Sequence, residues 1–192
     1  MCERAMFARE MPLRTDSINV ETRSFEAVAA TETIAQVVDW ERYEVIDEIL
    51  VARGGSFPEH TPLLENHQRF STLDVIGSAV DYRRQNDIWL VRGIVAEPEG
   101  EGDPVERIWR RVKDRHVRAV SIGYRVFDKV DIPPGKRHTV DGKTYQARER
   151  LLRISTRWSG HELSLTPIGA DSATLIRSQM GNPARTRRSY FR

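Results

Sequence analysis

The clearest helical period in this chain runs from Asp103 toward Arg118, and it leads straight into a run suited to a β-strand. Asp103 is a good N-cap, and Pro104 fits the first helical position because the N–H it lacks would have had no partner there. Val105, Ile108, Trp109 and Val112 fall on one face at helical spacing, with His116 extending it. Glu106, Arg110, Lys113 and Asp114 fall mostly opposite, and Arg115 and Arg118 sit where the helix dipole favours positive charge. The helix delivers the chain into Ala119–Phe127, a predicted strand with Ser121 near its start. Gly123 follows, leaving room for another backbone or a substrate to approach.

Short segments bounded by glycine and proline fill much of the rest. Phe25, Ala27 and Ala29 roughly alternate, which predicts a first strand over Arg23–Ala30. Tyr43–Ala52 is ambiguous: Val45, Ile46, Ile49 and Leu50 have the spacing of a helical face, and a bulged strand is also compatible. Asp74–Tyr82 and Asp87–Glu97 read as paired strands around a polar loop, and Asp141-Gly142 is the residue pair of a tight hairpin. Trp158–Thr166 reads as a strand with Leu163 and Leu165 on one face and Glu162, Ser164 and Thr166 on the other. Asp171–Gln179 reads as a short capped helix. Residues 1–22 lack a clear period and are expected to form a loosely attached arm, residues 23–180 a single domain, and residues 181–192 a basic tail.

Composition narrows the class. With 192 residues, 39% hydrophobic and 30% charged, the chain is long enough for one well-cored domain. No apolar run approaches the ~20 residues of a membrane-spanning helix, and the first residues do not form a secretory signal. The only cysteine is Cys2, so an intramolecular disulfide and a cysteine metal cluster are excluded, and a reducing, cytoplasmic setting is expected. The net charge of +2 does not by itself argue for nucleic acid. Arg185, Arg187, Arg188 and Arg192 concentrate positive charge in the tail, leaving the body near neutral.

Chemistry enters through Ser121. A serine hydroxyl is a weak nucleophile unless an imidazole takes its proton and a third group orients that imidazole. Glu65-Asn66-His67 upstream and His161-Glu162-Leu163-Ser164 downstream supply candidates, giving the set His67, Ser121, Glu162. Rival patterns are missing. There is no Gly-x-Ser-x-Gly elbow, no His-Glu-x-x-His pair and no phosphate-binding glycine loop. The histidines at 60, 67, 116, 138 and 161 lack metal-ligand spacing, so neither metal nor cofactor is expected.

The ordered motifs Leu64-Glu65-Asn66-His67, Ala119-Val120-Ser121-Ile122-Gly123-Tyr124 and Glu162-Leu163-Ser164-Leu165-Thr166-Pro167-Ile168-Gly169-Ala170-Asp171-Ser172-Ala173 resemble the prohead maturation proteases of tailed bacteriophages and prophages. The resemblance spans roughly residues 23 to 178. Many members of that family carry Ala-Asn after the proline, where this chain has Gly169-Ala170-Asp171. The resemblance implies an α+β fold: a compact, mostly antiparallel β-barrel surrounded by helices, like the herpesvirus assemblins. It implies a serine endopeptidase that cleaves scaffold, or the scaffolding domain of the major capsid protein, inside the procapsid in the host bacterial cytoplasm, and that also cleaves itself. It assigns Ser121 as nucleophile, His67 as base and Glu162 as third member. The distant herpesvirus enzymes use a second histidine in the third role, which makes His161 the rival. The partners are then capsid protein and scaffold; membrane and nucleic-acid partners are not expected, and a homo-oligomer stays open. The alternative is a capsid-assembly module that keeps the fold and does not cut.

Overall fold

The computed structural model describes residues 7–167. The chain begins with strand β1 (Phe7–Asn19), which turns at Arg23 into β2 (Ser24–Thr31). A hairpin of β3 (Ala35–Asp39) and β4 (Glu44–Leu50) follows, its bend held where Asp39 accepts the backbone N–H groups of Glu41 and Arg42. The two-residue strand β5 (Gly55–Ser56) and β6 (Thr61–Glu65) lead to the long hairpin of β7 (Val75–Gln85) and β8 (Ile88–Val95). Helix α1 (Pro104–Lys113) comes next, then β9 (Ala119–Ile132). The ribbon of β10 (Arg137–Val140) and β11 (Lys143–Gln146) and the final strand β12 (Leu152–Thr166) complete the described chain.

Local chemistry accounts for the punctuation. Asp103 caps α1 by accepting the Val105 N–H at 2.9 Å, and Ile108, Trp109 and Val112 are its buried face, as the helical spacing predicted. Asp141 and Gly142 both have positive φ, 51° and 81°, which matches the twist of a two-residue hairpin. The loop expected between β7 and β8 shrinks to a turn at Asn86, because the polar residues Arg83–Gln85 extend the strand.

β12 is the structural axis. On one edge it pairs in parallel with β4, β5 and β6 in succession, and on the other it pairs antiparallel with β9 along nearly its whole length. Ten strands form one mixed sheet, with β6, β7, β8, β2, β1 and β9 following in order from β12 and an additional β9–β12 pairing. The core gathers Phe25, Leu50, Leu63, Val91, Ile108, Trp109, Val120, Ile122, Trp158 and Leu165.

This overturns the expected α+β barrel surrounded by helices. Among the described residues α1 is the only α-helix, and a ten-stranded sheet with a separate two-stranded ribbon takes the place of the helix-surrounded barrel, while most strand pairings are antiparallel as expected. The helix-like spacing at 45–50 belongs to strand β4. Ile46, Ile49 and Leu50 are buried there because both faces of the strand are covered, while Val45 is 47% exposed. A strand covered on both faces loses the alternation that would have marked it. Residues 7–19, read as part of a loose arm, form β1 between β2 and β9. Backbone ladder bonds build that strand without an alternating side-chain pattern. The predicted helix at Asp171–Gln179, the arginine tail and Cys2 lie outside the described residues. No helix among the described residues is long and apolar enough to cross a membrane.

Candidate active site

β9 and β12 supply the floor of the site. Their register sets Ser121 opposite Ser164 and Gly123 opposite Glu162. Directly paired residues of antiparallel strands point to the same face. These four therefore share one face, while Val120, Ile122, Leu163 and Leu165 enter the core from the other.

His67 arrives from the far edge of β12. β6 pairs there with Leu64 opposite Ser164, and the chain then reverses in a turn closed by Gln68 N–H donating to Glu65 C=O at 3.0 Å. Asn66 and His67 occupy the centre of that turn with φ of 49° and 60°. Asparagine and histidine are among the few non-glycine residues enriched in left-handed backbone, so the Asn-His pair suits the turn as well as the chemistry. The turn carries the imidazole back across β12. Its Nε2 lies 2.8 Å from Ser121 Oγ, and its Nδ1 is hydrogen-bonded to Glu162 Oε1. A carboxylate at Nδ1 requires a proton there, which leaves the Nε2 lone pair facing the serine hydroxyl. The structure thus brings together all the residues of the set drawn from the sequence.

Gly123 makes this contact possible. A Cβ at that position would fall 2.5 Å from Glu162 Cγ and 2.7 Å from Glu162 Oε1. The room left by the glycine is filled by the orienting carboxylate, rather than by a substrate or another backbone.

His161 and Glu162 are separated by a β-bulge. Gly160 pairs with Tyr124 and Glu162 with Gly123, so His161 is an extra residue on β12. Tyr124 packs toward Trp158 in the core. Were His161 paired in regular register with Gly123, Glu162 would fall opposite Ile122 and share its core-facing side. By taking up His161 without passing the shift on to Glu162, the bulge keeps the carboxylate on the site face. Glu162, and not His161, meets His67. Burial pushes the His161 imidazole pKa down, and the charge of Arg125 lowers it further.

Ser164 was not singled out from the sequence. It is fully buried, and its Oγ accepts the backbone N–H of His67 at 3.2 Å. It holds the turn rather than the reacting atoms, which makes it a positioning residue. The available signal was its parity: it shares the strand face of Glu162.

The set is enclosed. Ser121 is 0% exposed, and the side chains of Glu162 and His67 are 4% and 25% exposed, so the imidazole is its outermost part. A hollow of about 310 Å³ lies between the Asn66 turn, α1 and the end of β12, and a groove of about 490 Å³ is lined by Leu64, Phe70, Val75, His161 and Glu162. Among the described residues no cluster of His, Cys, Asp and Glu is arranged to hold a metal. Comparison with protein-family models, with curated proteins and with solved structures finds no match for this chain.

Proposed function

We propose that this chain is a serine endopeptidase of phage procapsid maturation, acting inside the procapsid in the host cytoplasm. It would cut scaffold or the scaffolding domain of the major capsid protein, and itself. The observation that carries the enzymatic part is the hydrogen-bonded chain Ser121 Oγ, His67 Nε2, His67 Nδ1, Glu162 carboxylate. The choice of capsid protein and scaffold as substrates rests on the order of the three motifs.

The chemistry follows from the geometry. Ser121 Oγ attacks the carbonyl carbon of the scissile peptide as its proton passes to His67 Nε2. Glu162 accepts the hydrogen bond of Nδ1–H throughout and stabilises the imidazolium that forms. The tetrahedral intermediate collapses as Nε2–H protonates the departing amine, leaving Ser121 esterified. Water then enters, gives its proton to Nε2, attacks the ester and releases the acid product with Ser121 restored.

A second reading, a capsid-assembly module that does not cut, draws on one observation: the hydroxyl of Ser121 is sealed from solvent. Co-expression with the capsid protein, followed by intact mass over time, separates the two. Cleavage of the partner, self-shortening and covalent labelling by a fluorophosphonate are expected of the wild type. All should vanish in Ser121→Ala, a loss of at least about 10³-fold in rate. Cleavage that persists in Ser121→Ala would sink the protease assignment, and an unlabelled, uncut wild type would favour the module.

A further inference from the structure

The loop after the His67 turn holds apolar side chains outward. Phe70 is 96% exposed, Leu73 88% and Val75 45%. Isolated exposed apolar residues are ordinary, but a group of them beside a groove marks a binding surface. The loop is also well tied. Asp74 Oδ2 accepts the N–H groups of Phe70 at 2.7 Å and Ser71 at 2.8 Å, and Ser71 Oγ accepts the Leu73 N–H at 3.2 Å. These bonds form a capping box around the short 3-10 turn Thr72–Asp74. The N–H groups of Phe70, Ser71, Leu73 and Asp74 all find acceptors within the loop, and Phe70 is presented from a main chain held by these bonds. Much of the ordering that binding would otherwise require is already in place.

The groove behind this loop runs to the catalytic set. Pro62, Leu64, Phe70 and Val75 give it apolar walls, and Glu162, the partner of His67, lines it too. Its volume of about 490 Å³ lies within the range of about 300–1,000 Å³ usual for ligand pockets. Its charges, Arg69 and Glu162, are of opposite sign, so it has no net preference for a charged side chain. His161 is kept toward its neutral form by burial and by Arg125.

We infer that this groove is the specificity subsite of the enzyme. It takes a bulky apolar side chain of the substrate polypeptide, of the size of leucine, methionine or phenylalanine, beside the scissile bond. Phe70 and Val75 are its specificity-determining residues. The inference rests on the serine-endopeptidase reading, and a second copy of this chain is the competing occupant.

The test is cleavage of a proteome-derived peptide library read by mass spectrometry, with fluorophosphonate labelling and solution mass measured in parallel. Phe70→Asp is the variant, chosen because an almost fully exposed position tolerates it. The wild type is expected to cut beside Leu, Met, Ile or Phe at one fixed position relative to the scissile bond. Phe70→Asp is expected to cut those peptides at least tenfold more slowly while labelling at the wild-type rate, because the small probe does not fill the groove. An unchanged cleavage profile in Phe70→Asp overturns the subsite, as does a change in oligomeric mass without a change in profile. A labelled wild type that cuts no peptides, or cuts them without apolar preference, overturns the subsite alone. A wild type that neither labels nor cuts removes the protease reading and the subsite with it.

Discussion

The two ends of β12 treat buried carboxylates in opposite ways. Near its start, Arg153 is 1% exposed and donates to Asp39 at 2.7 Å and to Asp131 at 2.9 Å, while Ser155 donates to the fully buried Glu48 at 2.6 Å and Tyr124 donates to the same carboxylate. Near its end, Glu162 is equally enclosed, but its partner is the imidazole of His67. A guanidinium keeps its charge at any working pH, so the first cluster is fixed. An imidazole can accept a proton at one nitrogen and later give it up, so the second can move one. One strand thus carries a lock at its start and a proton-handling pair at its end, and the partner of the acid decides which is which.

The largest test of that contrast is at the proton-handling end. Glu162→Gln keeps the shape but removes the charge and the requirement for Nδ1–H. Acylation by fluorophosphonate should fall by about 10²–10⁴-fold, while His161→Ala changes it far less. The reverse order would move the third role to His161.

The locked end should fail in stability instead. Arg153→Met leaves Asp39 buried without its guanidinium, which should cost about 3–5 kcal/mol in denaturant unfolding, with the pH dependence of labelling unchanged. Burial alone would push the Asp39 carboxyl up, but the hydrogen bond and charge of Arg153 and the N–H groups of Glu41 and Arg42 hold it below the ordinary range. For Asp131 the same burial effect is outweighed by Arg153, Lys129 and Arg42. Carboxyls held low stabilise the fold above their unfolded pKa of about 3.9 and lose that contribution as pH falls through the lowered value. Wild-type melting should therefore hold steady from neutral pH to about pH 4 and fall below it. In Arg153→Met, Asp39 keeps the N–H groups of Glu41 and Arg42 but loses the guanidinium that outweighed its burial, so its carboxyl rises and acidification should narrow the gap to wild type. A gap independent of pH would remove Asp39 from the lock.

The smallest effect is expected from Ser164→Ala, which frees the His67 N–H. Labelling should slow about tenfold, the ~1.4 kcal/mol of one lost hydrogen bond, with partial rescue in Ser164→Thr and little change in melting. A melting loss with unchanged labelling would make Ser164 a packing residue.

What the sequence revealed follows from which signals are local. The cap and face of α1, the Asp141-Gly142 turn and the alternation of Glu162, Ser164 and Thr166 were legible because each depends on a few neighbouring residues. Strand β1 was not, since its partners β2 and β9 hold it through backbone bonds. β4 was misleading because Glu48 is buried among polar partners on a face that would ordinarily be wet. In the site, the identities of His67, Ser121 and Glu162 were readable, but the turn at Asn66, the support from Ser164 and the purpose of Gly123 depend on strands distant in sequence.

The extra residue at His161 gives the site the logic of a reading frame. A strand admits only two orientations for a side chain, so no gradual tilt connects a Glu162 that serves His67 with one that strands its charge in the core. Drawing His161 into regular register would invert Glu162 and its neighbours at a stroke, whereas deleting His161 would leave Glu162 opposite Gly123. Anyone grafting this constellation onto a different sheet must therefore keep Glu162 in register with Gly123, by the bulge or by omitting His161.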